Sequence, residues 1–308
     1  MNVAFCFDQF ALPGVYLSLY TLVESNPEAT LNLFLIHEGL SRRVLEFLQK
    51  SVEELSPNTK IIFREFSTRG LSFAKSFHGN YMTYARLFLA ELLPEIDRVI
   101  YLDSDLLVNC PIDKLWQIEL EGCVIGAVPI GRLEWVALER NFLLEIGLSK
   151  SASYFSAGVL LLDLAAWRAS RTTKACLDFL AANSSRCQTA DQTVLNGLFS
   201  RHYVQIPDQF NIFISPDTPS HMDDLPLGIF HFVASPKPWD FLGKQLHKNW
   251  ALFDDASRRM GIPRRVGEFL PRVVRTLRIS RSYSRLLHSR LTKKRTSNRV
   301  DRRRPNAS

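Results

Sequence analysis

The sequence predicts an α/β protein: one domain with a mostly parallel sheet and helices on both faces. Two observations carry this. Short apolar runs alternate with stretches of helical period across residues 3–233, as in parallel strands joined by crossover helices. The run at 99–102, Val-Ile-Tyr-Leu, is continuous rather than alternating, as in a strand covered on both faces. It ends directly on Asp103-Ser104-Asp105.

In chain order, residues 3–7 read as the first strand and 13–24 as its helix. Residues 31–36 form a second strand, followed by a helix with Ser41 as cap and Val44, Leu45 and Leu48 on its apolar side. A third strand falls at 61–63. Residues 81–93 have helical period, and Pro94 ends them before the central strand. Strands at 124–128 and 158–164, helices at 165–180 and 192–199, and a last strand at 228–233 complete the domain, assigned to residues 1–257. Residues 258–308 form a tail. There Leu270, Val273, Val274 and Leu277 recur at helical spacing, and Tyr283, Leu286, Leu287 and Leu291 form a second stripe after a bend near Ser280. After Thr292 the composition predicts unstructured chain.

The 308 residues, 46% hydrophobic, suit a globular protein, and no apolar run is long enough for a membrane span. The start, Met-Asn-Val-Ala-Phe, lacks the basic opening and apolar core of a signal peptide. Five scattered cysteines without Cys-x-x-Cys spacing argue against zinc and disulfides and suit a reducing cytoplasm. The net charge of +7 hides a division. Residues 258–304 hold 17 Lys/Arg against Glu268 and Asp301, so the rest of the chain is acidic. A basic tail of this kind suits an anionic surface.

Side chains two apart on extended backbone point the same way, so Asp103 and Asp105 can face one ligand while Ser104 faces away. Ligands of open α/β sheets sit beyond the carboxyl ends of strands, where these acids fall. Adjacent carboxylates repel, and a divalent cation relieves the repulsion. A nitrogen from His231 would favour manganese over magnesium. Lys237, between Pro236 and Pro238, suits a phosphate. Arg86 lies on an apolar helix and needs an internal carboxylate or a ligand. Asp8 closes the first strand, as a turn residue or a ligand contact.

Four motifs occur in order: Met82-Thr83-Tyr84-Ala85-Arg86-Leu87 with Asp103-Ser104-Asp105; Tyr154-Phe155-Ser156-Ala157-Gly158; Asp191-Gln192 leading to Leu195-Asn196-Gly197; and His231-Phe232-Val233 with Lys237-Pro238-Trp239. Together they resemble glycosyltransferase family 8, the retaining nucleotide-sugar transferases that include bacterial lipopolysaccharide galactosyl- and glucosyltransferases. The resemblance implies a GT-A fold and a Mn2+ site (Mg2+ the alternative) made by Asp103, Asp105 and His231. It implies a UDP-hexose donor, with Asp8 on the uracil, Phe10 stacked on it, and Arg86, Ser104, Ser156 and Lys237 on the diphosphate and sugar. Asp191 would hold sugar hydroxyls, and Gln192 would stand nearest the anomeric carbon. The acceptor implied is a glycan or lipid-linked saccharide such as lipopolysaccharide core. An amide is a poor nucleophile, which favours front-face transfer with retention.

Departures from the family pattern are a shortened loop after Asp8, Ser156 where Asn is usual, Ala234 for Gly, and Pro129-Ile130-Gly131 without an acid. They bear on the identity of the hexose more than on the reaction. Two further readings are an inactive and a self-glycosylating relative. A haloacid-dehalogenase-type phosphohydrolase would open its domain with the Asp-x-Asp strand, whereas about 100 residues precede it here. Nucleic acid is not expected as a partner: the body is acidic and the tail lacks interleaved aromatics. The expectation is a cytoplasmic enzyme held peripherally on the inner face of the cytoplasmic membrane by its tail.

Overall fold

The computed structural model describes residues 1–76, 79–217, 225–259 and 269–301. Strands β1 (Asn2–Asp8), β2 (Leu31–Glu38), β3 (Thr59–Glu65), β4 (Arg98–Leu102), β6 (Ile125–Arg132), β7 (Ser153–Asp163) and β8 (Val204–Gln205) form a seven-stranded sheet in the order β3-β2-β1-β4-β7-β6-β8. β7 runs antiparallel to β4 and β6, and the other pairs are parallel. Helices α1 (Leu12–Glu24) and α2 (Arg42–Leu55) join the first three strands.

Side chains of β1 alternate between two cores. Val3, Phe5 and Phe7 pack with α1, while Ala4 and Cys6 pack under Tyr84, Leu87 and Trp167 on the other face. Fully burying each such large apolar side chain contributes about 1.5–3 kcal/mol. The fold expectation therefore holds: a mostly parallel α/β sheet flanked by helices.

The register positions the site. β4 lies beside β1, with Val3 opposite Ile100, so Asp8 and Asp103 leave the same edge. A turn at Ser104-Asp105 then starts β5 (Leu106–Asn109), which joins a second sheet with β9 (Ile212–Ile214) and β10 (Gly228–Phe232), in the order β5-β10-β9. Antiparallel pairing sets His231 opposite Leu106, next to Asp105. The sequence reading expected extended backbone through the acids and assigned no element to 106–109. The turn, rather than strand alternation, directs both carboxylates to one place.

Other differences are local. The helix expected at 165–180 is two, Leu164–Ala169 and α3 (Thr172–Asn183), because Arg171 adopts a left-handed conformation with φ of 53°. Residues 82–88 wind as a 3-10 helix before a short α-turn, Leu89–Leu92. Helix α4 (Asp191–Phe199) follows Ala190, whose φ is 55°. Helix α5 (Trp250–Arg259) crosses the expected boundary at 257.

In the tail, α6 (Phe269–Arg278) and α7 (Ser280–Asp301) meet at Ile279, beside the expected bend. Helix α7 continues past Thr292, where unstructured chain was expected; no Pro or Gly interrupts it before Asp301. The side chain of Leu270 and residues 302–308 lie outside the described residues. Ile279 and Tyr283 pack on Leu246, and Arg290 pairs with Asp217 at 2.8 Å, so the tail lies on the body. Among the described residues no helix is long and apolar enough to cross a membrane. All five cysteines are buried thiols.

Candidate active site

A cleft of about 250 Å³ opens at the carboxyl edge of the main sheet, where the two sheets meet. Phe10, Thr83, Arg86, Asp103, Ser104, Asp105, Ala234 and Lys237 line it, with Arg275 and Arg278 from the tail. Seven of the residues expected from the sequence thus converge, counting His231 behind the two acids. Asp8, Ser156, Asp191 and Gln192 stand outside this lining.

Ligand atoms of Asp103, Asp105 and His231 lie within 4.8 Å of one another. The His231 Nε2 is 3.1 Å from Asp105 Oδ1 and 3.8 Å from Asp103 Oδ2, while Nδ1 is 3.0 Å from the Asn211 side-chain oxygen. Nδ1–H donation to Asn211 leaves the neutral ring with a lone pair on Nε2, aimed at two carboxylates. Such an arrangement needs a cation or a proton between the groups. The residues present therefore fit a divalent metal. Gly158 permits the approach: a Cβ there would stand 2.4 Å from His231 Cε1 and 3.1 Å from Asp103 Oδ2.

Lys237 pairs with Asp105 at 2.7 Å and donates to the Phe232 carbonyl. Burial opposes ionisation of Asp105, but the Lys237 ammonium outweighs it and holds the carboxyl well below the usual carboxylate range. Arg86 bridges two acids: Nη2 lies 2.8 Å from Asp103 Oδ1 and Nε 2.9 Å from Asp191 Oδ2. It also donates to the Ala157 carbonyl and stacks 4.4 Å from the Tyr101 ring centroid. Of the two partners weighed for Arg86, the structure supplies the internal carboxylates, and through them Arg86 ties the metal acids to Asp191. Burial pushes Asp191 up to about 6 against Arg86 and the Thr83 hydroxyl, which donates to it.

The Gln192 amide is fixed at both ends. Its oxygen accepts from Ala157 N–H at 3.0 Å, and its nitrogen donates to the Tyr154 hydroxyl at 3.1 Å. That hydroxyl donates at 2.5 Å to Glu139, a fully buried carboxylate that also accepts from Thr189 and Thr193. Ser156 Oγ accepts from Gly158 N–H at 3.2 Å. Asp8 Oδ1 accepts from Phe10 N–H at 2.9 Å, the turn role weighed from sequence. Burial raises its pKa, and the Phe10 N–H lowers it in part. Ala234, where the family has Gly, adopts φ of 64°, a conformation that costs a side chain about 1 kcal/mol.

Sequence reasoning gave no site role to Asn211, Tyr101, Tyr154 or Glu139. Only the apolar neighbours of Asn211, Phe210 and Ile212, hinted at its burial.

The sequence matches the family described as Glycosyl transferase family 8 over residues 2–243. It is 30% identical over 185 residues to glycosyltransferase GlyF of Streptococcus pneumoniae serotype 4, covering 58% of this chain and 43% of that one. General stress protein A of Bacillus subtilis is 25% identical over 264 residues, covering 78% and 87%. The match spans about half the length of GlyF and of GlyE from the same pneumococcal strain. The structure of galactosyltransferase LgtC in complex with donor and acceptor sugar analogues shares the fold, of GT-A type. Its TM-score is 0.72 at 23% identity, over 84% of this chain and 96% of that one. The family match spans the whole expected metal and phosphate constellation, from Asp8 to Lys237: the chain belongs to glycosyl transferase family 8.

Proposed function

We propose that the protein transfers a hexose, galactose or glucose, from its uridine diphosphate sugar to a saccharide acceptor with retention of configuration. One observation carries the reading. Asp103, Asp105, His231 and Lys237, distant in sequence, meet at one cleft of a family 8 chain.

Bound manganese would supply Lewis-acid stabilisation of charge developing on the leaving diphosphate. Asp103, Asp105 and His231 would hold it, and Lys237 would add a point charge beside them. Arg86 keeps Asp103 and Asp191 in fixed relation, so that Asp191 can receive sugar hydroxyls at a set distance from the metal acids. Gln192, with its amide held by Ala157 and Tyr154, presents a dipole rather than a nucleophile to the anomeric carbon. Asp191 is engaged by Arg86 and Thr83, which disfavours it as a double-displacement nucleophile. The departing phosphate oxygen then takes the acceptor proton on the front face. At the other end, Asp8 and Phe10 select uracil: a carboxylate accepts its imide N–H, and cytosine has no such proton.

The acceptor class proposed is a glycan or lipid-linked saccharide such as lipopolysaccharide core, met by a cytoplasmic enzyme at the inner face of the membrane. Exposed Val273, Leu277, Leu287 and Leu291 along a basic tail support peripheral binding to an anionic leaflet. The test is a panel of uridine, cytidine and guanosine diphosphate hexoses, scored for manganese-dependent release of the nucleoside diphosphate, with proton NMR of the product. Preference for uridine and an α product from an α donor support the proposal. Equal use of guanosine donors, or a β product, overturns the donor or the stereochemical part.

A further inference from the structure

The cleft has a wall that lies beyond the family match. Helix α6 sends Arg275 and Arg278 into it, 32 and 35 residues past the last matched position, 243. Arg275 is anchored to Asp240, whose Oδ1 lies 2.5 Å from Nε. The other Asp240 oxygen accepts from the Lys237 backbone N–H at 2.7 Å. Asp240 is therefore a shared post for the lysine loop and the tail. The Arg275 guanidinium lines the cleft together with Asp105 and Phe10. The Arg278 guanidinium stacks 4.5 Å from the Phe10 ring centroid and is exposed outward.

Three cations of the cleft are each paired with an acid, Arg86 with Asp103 and Asp191, Lys237 with Asp105 and Arg275 with Asp240, whereas Arg278 rests on the Phe10 ring. A nucleoside diphosphate sugar brings two phosphate charges and a flat base. We propose that α6 completes the donor site, with Arg275 facing the phosphates and Arg278 closing over the base. This rests on the reading of a nucleotide-sugar donor given above. A base entering beside Phe10 lifts the exposed Arg278 side chain and is held between ring and guanidinium, since planar cations stack on bases as they do on rings. The tail is then part of the catalytic unit, and its removal costs donor affinity as well as any surface binding.

The experiment is calorimetric titration of uridine diphosphate, with manganese, into the intact chain and into the Arg278→Ala and Arg275→Lys variants. Arg278 is exposed, so its loss should leave folding intact; Arg275→Lys keeps a cation on Asp240, and thermal unfolding checks both. The expected result is about tenfold weaker binding for Arg278→Ala, with a smaller loss for Arg275→Lys. Uridine binding should fall for Arg278→Ala and stay unchanged for Arg275→Lys. Tight binding by wild type and unchanged affinity in both folded variants overturns the tail's role and leaves the donor reading standing. No nucleotide binding by wild type overturns the donor reading itself, and this one with it.

Discussion

The Nδ1 of His231 stands 3.0 Å from the side-chain oxygen of Asn211, and this contact sets which face of the imidazole carries a lone pair. Asn211 is buried, and β10 pairs with β9, the strand that begins at the next residue. Asn211→Leu should weaken manganese binding about 10- to 100-fold, as loss of a ligand's hydrogen-bond partner does. Manganese titration followed by electron paramagnetic resonance checks this without reference to turnover. Unchanged affinity would remove Asn211 from the site.

Tyr154 carries the hydrogen bond that fixes the Gln192 amide. Tyr154→Phe keeps the ring and leaves Glu139 its threonine donors, so the fold should survive at a cost of about 1 kcal/mol. If the orientation of Gln192 matters in the transition state, kcat falls about tenfold while KM for the donor changes little. A rise in KM at constant kcat would make Gln192 a ground-state binding group instead.

His247 is buried against Phe232 beside the lysine loop. Burial, reinforced by Lys237 and Arg290, pushes it down to about 4. A depressed histidine pKa gives stability that is complete above the unfolded value of about 6.5 and is lost as pH falls towards the folded one. Wild type should therefore lose on the order of 1–2 kcal/mol more than His247→Gln between pH 7 and pH 5. Asp191, raised by burial, acts with the opposite sign in both proteins, so the difference isolates His247. Urea unfolding at the two pH values measures it.

What the sequence made legible was the strand and the acids after it, because a continuous apolar run ending on Asp-x-Asp is a local signal. Ala234 was legible only as a departure from the resembled pattern; its left-handed backbone came from the structure. The reach of His231 was not legible. It depends on the β5–β10 register, and four residues directly after two acids carry no strand signal of their own. Arg275 and Arg278 had the spacing of a solvated helix face; which side of an amphipathic helix meets the body is a tertiary outcome. Arg86 left two partners open, and the positions of Asp103 and Asp191 around it decided between them.

In the proposed function, the Asp103, Asp105 and His231 cluster drives sugar transfer by holding a divalent cation. Its most direct test is the rate of uridine diphosphate release from UDP-galactose and UDP-glucose by the intact protein, in chelator and on return of manganese, for wild type, Asp103→Asn and Asp105→Asn. The expected result is no release in chelator, recovery of wild type with manganese, and a loss of about 100-fold or more in each variant with its fold intact. Full wild-type release in chelator, from protein shown to contain no metal, would contradict it.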